Sequence, residues 1–435
     1  MAQTGLLTNR QFYQLLTAAS VGCMFEFYDF FLAAAAAATV WPTIFFPKNI
    51  DPALALAVAV ASVGFSYLAR PVGAITFGHY GDRYGRKTSL VGTMILMGIA
   101  TLGTALLPPY ASIGILAVAL LFVFRFLMGM GVGGESGGAF SWIAEATPNS
   151  KHRGFWVTWP NIMTTIGKLL SVFAFFIAAS WLSRTAYMDW GWRVCFLVGA
   201  VVVAVGLIIR IKVNESPMFQ QLQAKRSVLK YPSLQVIKEQ WRKIFTMLWL
   251  NTSVTAASAF VILPYSVSYL VKLGTGDAFA NLAVSAGAGI SSIAMLAAGF
   301  ASDYMGRLKI LRIGALLTMA MIFPFFWLLQ TLNPLLIIIA QILLYSLSVI
   351  PDGVCKAIYT ENFPTKYRQS GAGLSHQLST FCTGLLIAMV LPLLLVNYGI
   401  VGAWQPIALV GMAMCAITVV ASLFMKETRG ITLES

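Results

Sequence analysis

About twelve stretches of this chain are each long and apolar enough to cross a lipid bilayer, and that recurrence leaves few folds open. A spanning helix needs about 20 mostly apolar residues, because the hydrocarbon core is roughly 30 Å thick. Read between charged and Pro/Gly-rich breaks, the first six stretches fall near 11–39, 54–79, 88–107, 112–143, 154–180 and 191–212. The second six fall near 242–271, 278–302, 309–330, 333–362, 368–397 and 402–425. Apolar residues make up 58% of the 435 and charged residues 10%, too little charge to coat a soluble protein of that size. The expected fold is therefore an all-α integral membrane protein with twelve transmembrane helices. The first stretch is too long, and lacks the basic flank, for a cleaved signal peptide. The five cysteines lie in apolar runs without CxxC spacing, which argues against a disulfide framework or a zinc site. No metal or other cofactor is expected.

Between the two sets runs 213–241, the only long polar segment, in which Ser216-Pro217 reads as the cap and first turn of a short surface helix. It divides the chain into an N-terminal six-helix bundle (1–212), a linker (213–241) and a C-terminal six-helix bundle (242–435). With the N-terminus taken as cytoplasmic, 21 of the 29 Lys and Arg residues fall on the cytoplasmic side, among them Arg10, Arg83, Arg86, Lys87, Arg153, Arg210, Arg307 and Arg368. Lys48, Arg184, Arg193 and Lys272 fall outside, and four more lie within helices. The net charge of +14 is thus a positive-inside signal that puts both termini in the cytoplasm. No nucleic-acid partner is needed to explain it.

The halves repeat. Gly78-His-Tyr-Gly-Asp82-Arg-Tyr-Gly85-Arg86 recurs as Gly299-Phe-Ala-Ser-Asp303-Tyr-Met-Gly306-Arg307, and Glu145-Ala-Thr-Pro148 to Arg153 recurs as Glu361-Asn-Phe-Pro364 to Arg368. Six helices between copies leave both halves in one orientation, so the repeats are parallel, with a cavity between two six-helix bundles.

The run from Arg70-Pro71 to Arg86-Lys87 resembles the helix 2–3 signature of the major facilitator superfamily. Its Arg-Pro opening and His79 are in the style of the metabolite:proton symporter branch. Helix four, Arg125-Phe-Leu-Met-Gly129-Met-Gly131-Val-Gly133-Gly134-Glu135, is similar to the same branch. So are Glu26-Phe-Tyr28-Asp29, Arg153-Gly154-Phe155-Trp156, Trp190-Gly191-Trp192-Arg193 and Glu215-Ser216-Pro217. Tyr304, Leu308 and Pro160-Asn161 depart from the family pattern. The resemblance implies alternating access and uptake of a small metabolite, often a carboxylate or zwitterion, together with protons.

Eight ionisable groups are expected within helices: Arg70, Arg125, Lys168, Lys356, Glu26, Asp29, Glu135 and Asp352. Each costs at least about 2.5–3.5 kcal/mol at a lipid-facing midplane, so they should face protein or water. Their charges cancel, which permits mutual pairing without substrate. Arg125, near the midplane of helix four, offers a bidentate fork to a substrate carboxylate, or a structural pair to Glu26 or Asp29. Lys168 shares a helix-five face with Asn161 and points to an anionic substrate. Glu26 and Asp29 share one face of helix one, where burial and like charge favour a carboxyl that can carry a proton. Glu135 lies further towards the cytoplasm, as an inner relay or a structural partner. Asp352 and Lys356, spaced i,i+4, favour an internal salt bridge, with Lys356 a second anion-binding candidate. Arg70 reads as structural, and His79, His152 and His376 read as satisfied polar residues. Tyr28, Trp159, Tyr265, Tyr269 and Tyr359 are the aromatic cavity candidates. Asp82, Arg86 and Glu145, with repeats Asp303, Arg307 and Glu361, sit at cytoplasmic helix ends, where pairing across loops can hold an inner gate shut.

These residues point to a proton-coupled symporter in the cell membrane, importing a small mono- or dicarboxylate as a monomer embedded in lipid. A sugar or betaine/proline-like zwitterion is the alternative substrate, and export of drugs or cations fits the midplane lysines less well. A sensor on the same fold would be expected to carry a large soluble tail. An enzyme is not expected, because no metal-spaced His/Cys cluster or nucleophile elbow is present, and no Walker motif couples the chain to ATP.

Overall fold

The computed structural model describes residues 7–433, and all regular structure among them is helical. The expected bundle limits at residues 1 and 435 lie outside the described residues. Six long helices form the first half: α1 (Asn9–Thr39), α2 (Pro52–Tyr84), α3 (Arg86–Leu106), α4 (Ile115–Ala146), α5 (Pro160–Trp181) and α6 (Trp192–Lys212). A capping box between Thr8 and Gln11 opens α1, satisfying backbone N–H groups that the helix leaves unpaired. Pro160 opens α5 at a position where a missing N–H costs nothing.

The seventh crossing, α7, is divided into Pro232–Leu248, Trp249–Asn251, Thr252–Val254, Thr255–Ser266 and Val267–Lys272. It kinks at Gln240, then passes through a 3₁₀ turn and a π-helical stretch. The rest of the second half is α8 (Asp277–Met305), α9 (Arg307–Gln330), α10 (Pro334–Glu361), α11 (Arg368–Gly402) and α12 (Trp404–Leu423). Among the described residues, eleven continuous helices are long and apolar enough to span a bilayer. The twelfth crossing is the broken α7. Within the linker, Ser216 caps the short helix Pro217–Ala224, which buries Met218, Phe219 and Leu222.

Each half has its own core. One runs from Phe25 to Val203, with Trp41, Trp192 and Phe196 at its centre, and the other from Ala256 to Cys415, around Tyr265, Phe325 and Phe326. The halves touch along α2 with α11 and α5 with α8. Large apolar side chains such as Phe173, Phe176, Ile293 and Val396 point outwards, as expected where the surrounding solvent is hydrocarbon. The two ends of the described chain lie together, since Leu433 packs in one cluster with Phe12 and Leu16. The repeat is exact in the backbone at one telling place. Gly85 and Gly306, which precede α3 and α9, have φ of 114° and 107°, values that a side chain would resist.

Candidate functional site

The halves enclose a cavity of about 340 Å³. The first half contributes Glu26, Arg70, Ser136, Asn161 and Thr164 to its wall, and the second contributes Asn251, Thr255, Asp352, Lys356 and His376. Phe27, Phe30, Tyr67 and Phe140 supply its apolar surface. A larger apolar hollow of about 480 Å³ lies between α7 and α12, lined by Phe245, Trp249 and Phe424. It holds no ionisable group, so its surface suits lipid rather than a polar solute.

Cavity charges sit in two clusters, one per half. Arg70 lies 3.5 Å from Glu26 and 4.3 Å over the Tyr67 ring. That separation is long for a charge-assisted bond, which favours 2.7–2.9 Å, and the Arg70 Nε has no hydrogen-bond partner. Opposite, Lys356 donates to Asp352 at 2.8 Å and contacts His376 Nε2 at 2.8 Å. Asn251 also donates to Asp352 while its own Oδ1 stays unpartnered. The cavity wall therefore carries two cations and two carboxylates. Asn161 is on the wall, held by its own bond to Thr158 O at 3.1 Å.

Other candidates from the sequence fall outside this cavity. Arg125 pairs with Asp29 at 2.7 Å, deep inside the first half; Thr101 donates to Asp29, and Arg125 donates to Thr104. Both charges are nearly inaccessible to solvent. Tyr28 is buried in the first core with its hydroxyl donating to Cys195 O. Trp159 packs against Phe155 and Trp156 at the start of α5. Lys168 rests over the rings of Phe27 and Phe31, at 5.0 and 5.6 Å, and makes no ion pair among the described residues. Tyr265, Tyr269 and Tyr359 are buried within the second half.

Glu135 pairs with Arg210, which also donates to Ala18 O and Leu90 O, while Thr93 donates to Glu135. Here the sequence reading needs correction. Arg210, counted with the loop charges, is fully buried in the last turn of α6. The buried Glu135 draws this cation in from the interface, because an unpaired buried charge costs more than a buried pair.

At the end that bears the linker, the six expected helix-end charges are assembled in two matching clusters. Arg86 bonds Asp82 at 2.7 Å and Glu145 at 2.8 Å, and Glu145 also receives Arg368 of the other half at 3.0 Å. Asp82 accepts from the backbone N–H of Gln369 and Ser370, at the start of α11. In the second half Arg307 bonds Asp303 at 2.6 Å and Glu361 at 2.9 Å, and Glu361 receives Arg153. Asp303 accepts from Gly154 and Phe155, in the helix leading into α5. Each half thus sets a carboxylate on a helix N-terminus of the other, where free N–H groups and the helix dipole favour negative charge. This end is closed.

Two further acids complete the symmetry. Glu215 accepts from the N–H of Arg86 and Lys87, and Glu427 from those of Arg307 and Leu308. Burial pushes the Glu215 carboxyl up, against the pull of the Ser216 N–H and Arg86. Burial also opposes ionisation of Glu427, but N–H donors from Arg429, Arg307, Leu308 and Thr428 outweigh it and hold that carboxyl below its ordinary value.

Residues 15–239 and 233–435 match the family described as "Sugar (and other) transporter". The chain is 33% identical over 432 residues to the inner membrane metabolite transport protein YhjE of Escherichia coli K12, covering 96% of this chain and 94% of that one. The chain belongs to the major facilitator superfamily. It is a multi-pass membrane transporter and not an enzyme. It is also 30% identical to the shikimate transporter of E. coli K12, over 94% of this chain and 93% of that one, and 30% identical to the proline/betaine transporter of the same strain, over 85% and 75%. The fold of this transporter matches that of the proton:xylose symporter XylE bound to 6-bromo-6-deoxy-D-glucose, with a TM-score of 0.82, 19% identity and 98% of each chain covered.

Proposed function

We propose that this transporter is a proton-coupled symporter that imports a small organic anion, a mono- or dicarboxylate, by alternating access. The observation that carries the reading is the charge balance of the central cavity. Glu26 and Asp352 cancel Arg70 and Lys356, so a monoanion entering alone would leave a net negative charge near the middle of the bilayer, at a cost of several kcal/mol. A proton entering with it restores neutrality. Arg70, with its loose pair and unused Nε, and Lys356 are assigned to the substrate carboxylate, and Asn161 and Asn251 to its polar groups.

Asp29 is assigned to the proton. Its pair with Arg125 is dry, and protonation removes the charge that holds the guanidinium, leaving Arg125 to seek another partner. That exchange gives the first half two arrangements that a proton can choose between. Glu26, loosely held by Arg70, is the second proton carrier within α1. The clusters around Arg86 and Arg307 act as the inner gate, on the side where Lys and Arg concentrate and which we assign to the cytoplasm. Lys168 and Glu135 are assigned to supporting roles beside the cavity, and a single chain suffices for the cycle.

One observation favours a second reading. Cations and carboxylates on facing walls also suit a zwitterion, which is neutral without a proton, and one relative is a proline/betaine transporter. Thermal unfolding in detergent with a panel of carboxylates, betaines and sugars separates the two. A carboxylate present at 100 times its Kd adds about 2.7 kcal/mol to stability. Expected is an upward shift of Tm with carboxylates, lost in Arg70→Gln and Lys356→Gln. A shift only with betaine or sugars contradicts the assignment.

A further inference from the structure

The wall of the cavity formed by α10 and α11 holds a histidine that the reading above leaves without a task. His376 Nε2 lies 2.8 Å from Lys356 Nζ. An ammonium group donates and never accepts, so Nε2 must present its lone pair to Lys356. The ring hydrogen is then on Nδ1, which faces Ser136 Oγ at 3.4 Å. Ser136 itself receives Gln377 Nε2 at 2.6 Å. The nitrogen that would take a proton is therefore occupied by a lysine.

The other groups around the ring explain why that hold is conditional. Asp352, one turn before Lys356 on α10, shares the same ammonium at 2.8 Å. The Phe140 ring of α4 stands edge-on to the imidazole and also lies 5.2 Å from Lys356 Nζ, and Tyr359 of α10 closes another side. From the first half, Arg70 and Glu26 face the same cavity. Lys356 is thus divided between a carboxylate and an imidazole, and a third acceptor has to compete for it.

We propose that His376 is a further proton site of the transport cycle, outside α1, opened when a substrate carboxylate draws Lys356 away from Nε2. This rests on the assignment of Lys356 to the substrate. In the step, a hydronium ion on the open side gives its proton to the freed Nε2 lone pair: its O–H bond breaks, the N–H bond forms, and neutral water is left. The resulting imidazolium donates to the substrate carboxylate, while Lys356 keeps Asp352. Release of the substrate on the other side returns Lys356 to Nε2, and the proton leaves to water. Substrate and proton therefore raise each other's affinity by the same factor. The ligand class follows from the chemistry: a carboxylate competes for the ammonium, whereas a neutral sugar does not displace it.

The chain has three histidines, so His79→Gln with His152→Gln leaves a single imidazole to observe. Histidine-labelled protein in nanodiscs is followed by nitrogen NMR between about pH 8 and pH 5, a window that spans the ordinary titration of a free imidazole. With Lys356 present, expected is a neutral ring carrying hydrogen on Nδ1 throughout. In Lys356→Met the Nε2 signal of the bare nitrogen is lost as the ring protonates within the window, and Lys356→Gln serves if the Met variant does not fold. Sodium acetate, the carboxylate probe, is expected to move the parent ring towards the protonated form where sodium chloride at equal ionic strength does not. A ring that titrates alike with and without Lys356, or that stays neutral in both, overturns the proposal. So does acetate without effect, which would leave the histidine as packing alone. Because the test reads the ring and not transport, failure here leaves the symport reading standing, to be judged by uptake.

Discussion

At the scale of single residues, distance and dryness separate the charges. Arg125 and Asp29 meet at 2.7 Å away from the central cavity, whereas Arg70 and Glu26 stand 3.5 Å apart on its wall. Removing one member of a dry pair strands the other, at about 3–5 kcal/mol; on the proposed assignment of the proton to Asp29, removing that carboxylate also removes the coupling. Asp29→Asn is therefore expected to abolish uphill uptake while leaving substrate exchange across the membrane, measured side by side in vesicles with and without a proton gradient. Uphill uptake at the parental rate would take Asp29 out of the proton path. The identities of the charges buried in mid-helix were legible in the sequence, since a charge in an apolar helix announces itself. Their partners were not, because helical spacing fixes which residues share a face and says nothing of the facing helix. One partner had a readable signal. Lys356 and His376 lie equally far on either side of Lys366, in the turn between α10 and α11, and an antiparallel hairpin brings such positions level. Arg210 offered no such signal, because a cation at a helix end looks the same whether it turns to water or inwards.

At the scale of elements, the proposed gate is built from helix ends. Glu427 stands on the first N–H groups of α9 as Glu215 does on those of α3. Since those donors depress the Glu427 carboxyl below its ordinary value of 4.5, its stabilisation is complete above that value and is lost as pH falls through the depressed one. The Tm gap between the parent protein and Glu427→Gln is thus expected to be widest near neutrality and to close below about pH 4.5; a gap that widens on acidification would reverse the assignment. Where halves meet, small residues decide the approach. A Cβ on Gly137 of α4 would lie 2.6 Å from Gly373 Cα of α11. Gly137→Val is expected to part the halves at the linker end, seen as a longer distance between spin labels on the exposed Tyr84 and Tyr304. An unchanged distance would mean that α4 and α11 do not hold that end shut. Helix number and most boundaries were legible from hydropathy alone. The start of α7 at Pro232, ten residues before its apolar run, was not, because residues 232–241 interleave Ser233, Gln235, Lys238, Glu239 and Gln240 with apolar residues and join the helix through packing of Val236, with a kink at Gln240.

At the scale of the whole molecule, the internal repeat explains both the cross-half contacts of the proposed gate and the cavity. Matching loops give two carboxylates that each dock on the other half, and closing one end with these contacts leaves the cavity to be served from the other. The charged cavity wall is built from non-repeated residues: Arg70 and Glu26 on one side, and Asp352, Lys356 and His376 on the other. The sequence showed the repeat directly, but the cavity wall depends on which non-repeated side chains face each other, and only the packed halves settle that. The most direct test is uptake into proteoliposomes made alkaline inside, using radiolabelled mono- and dicarboxylates, betaines and sugars, with and without protonophore. Expected is accumulation of a carboxylate above its external concentration that collapses when protonophore is added. Accumulation indifferent to protonophore, or confined to sugars or betaines, would contradict proton-coupled import of an organic anion.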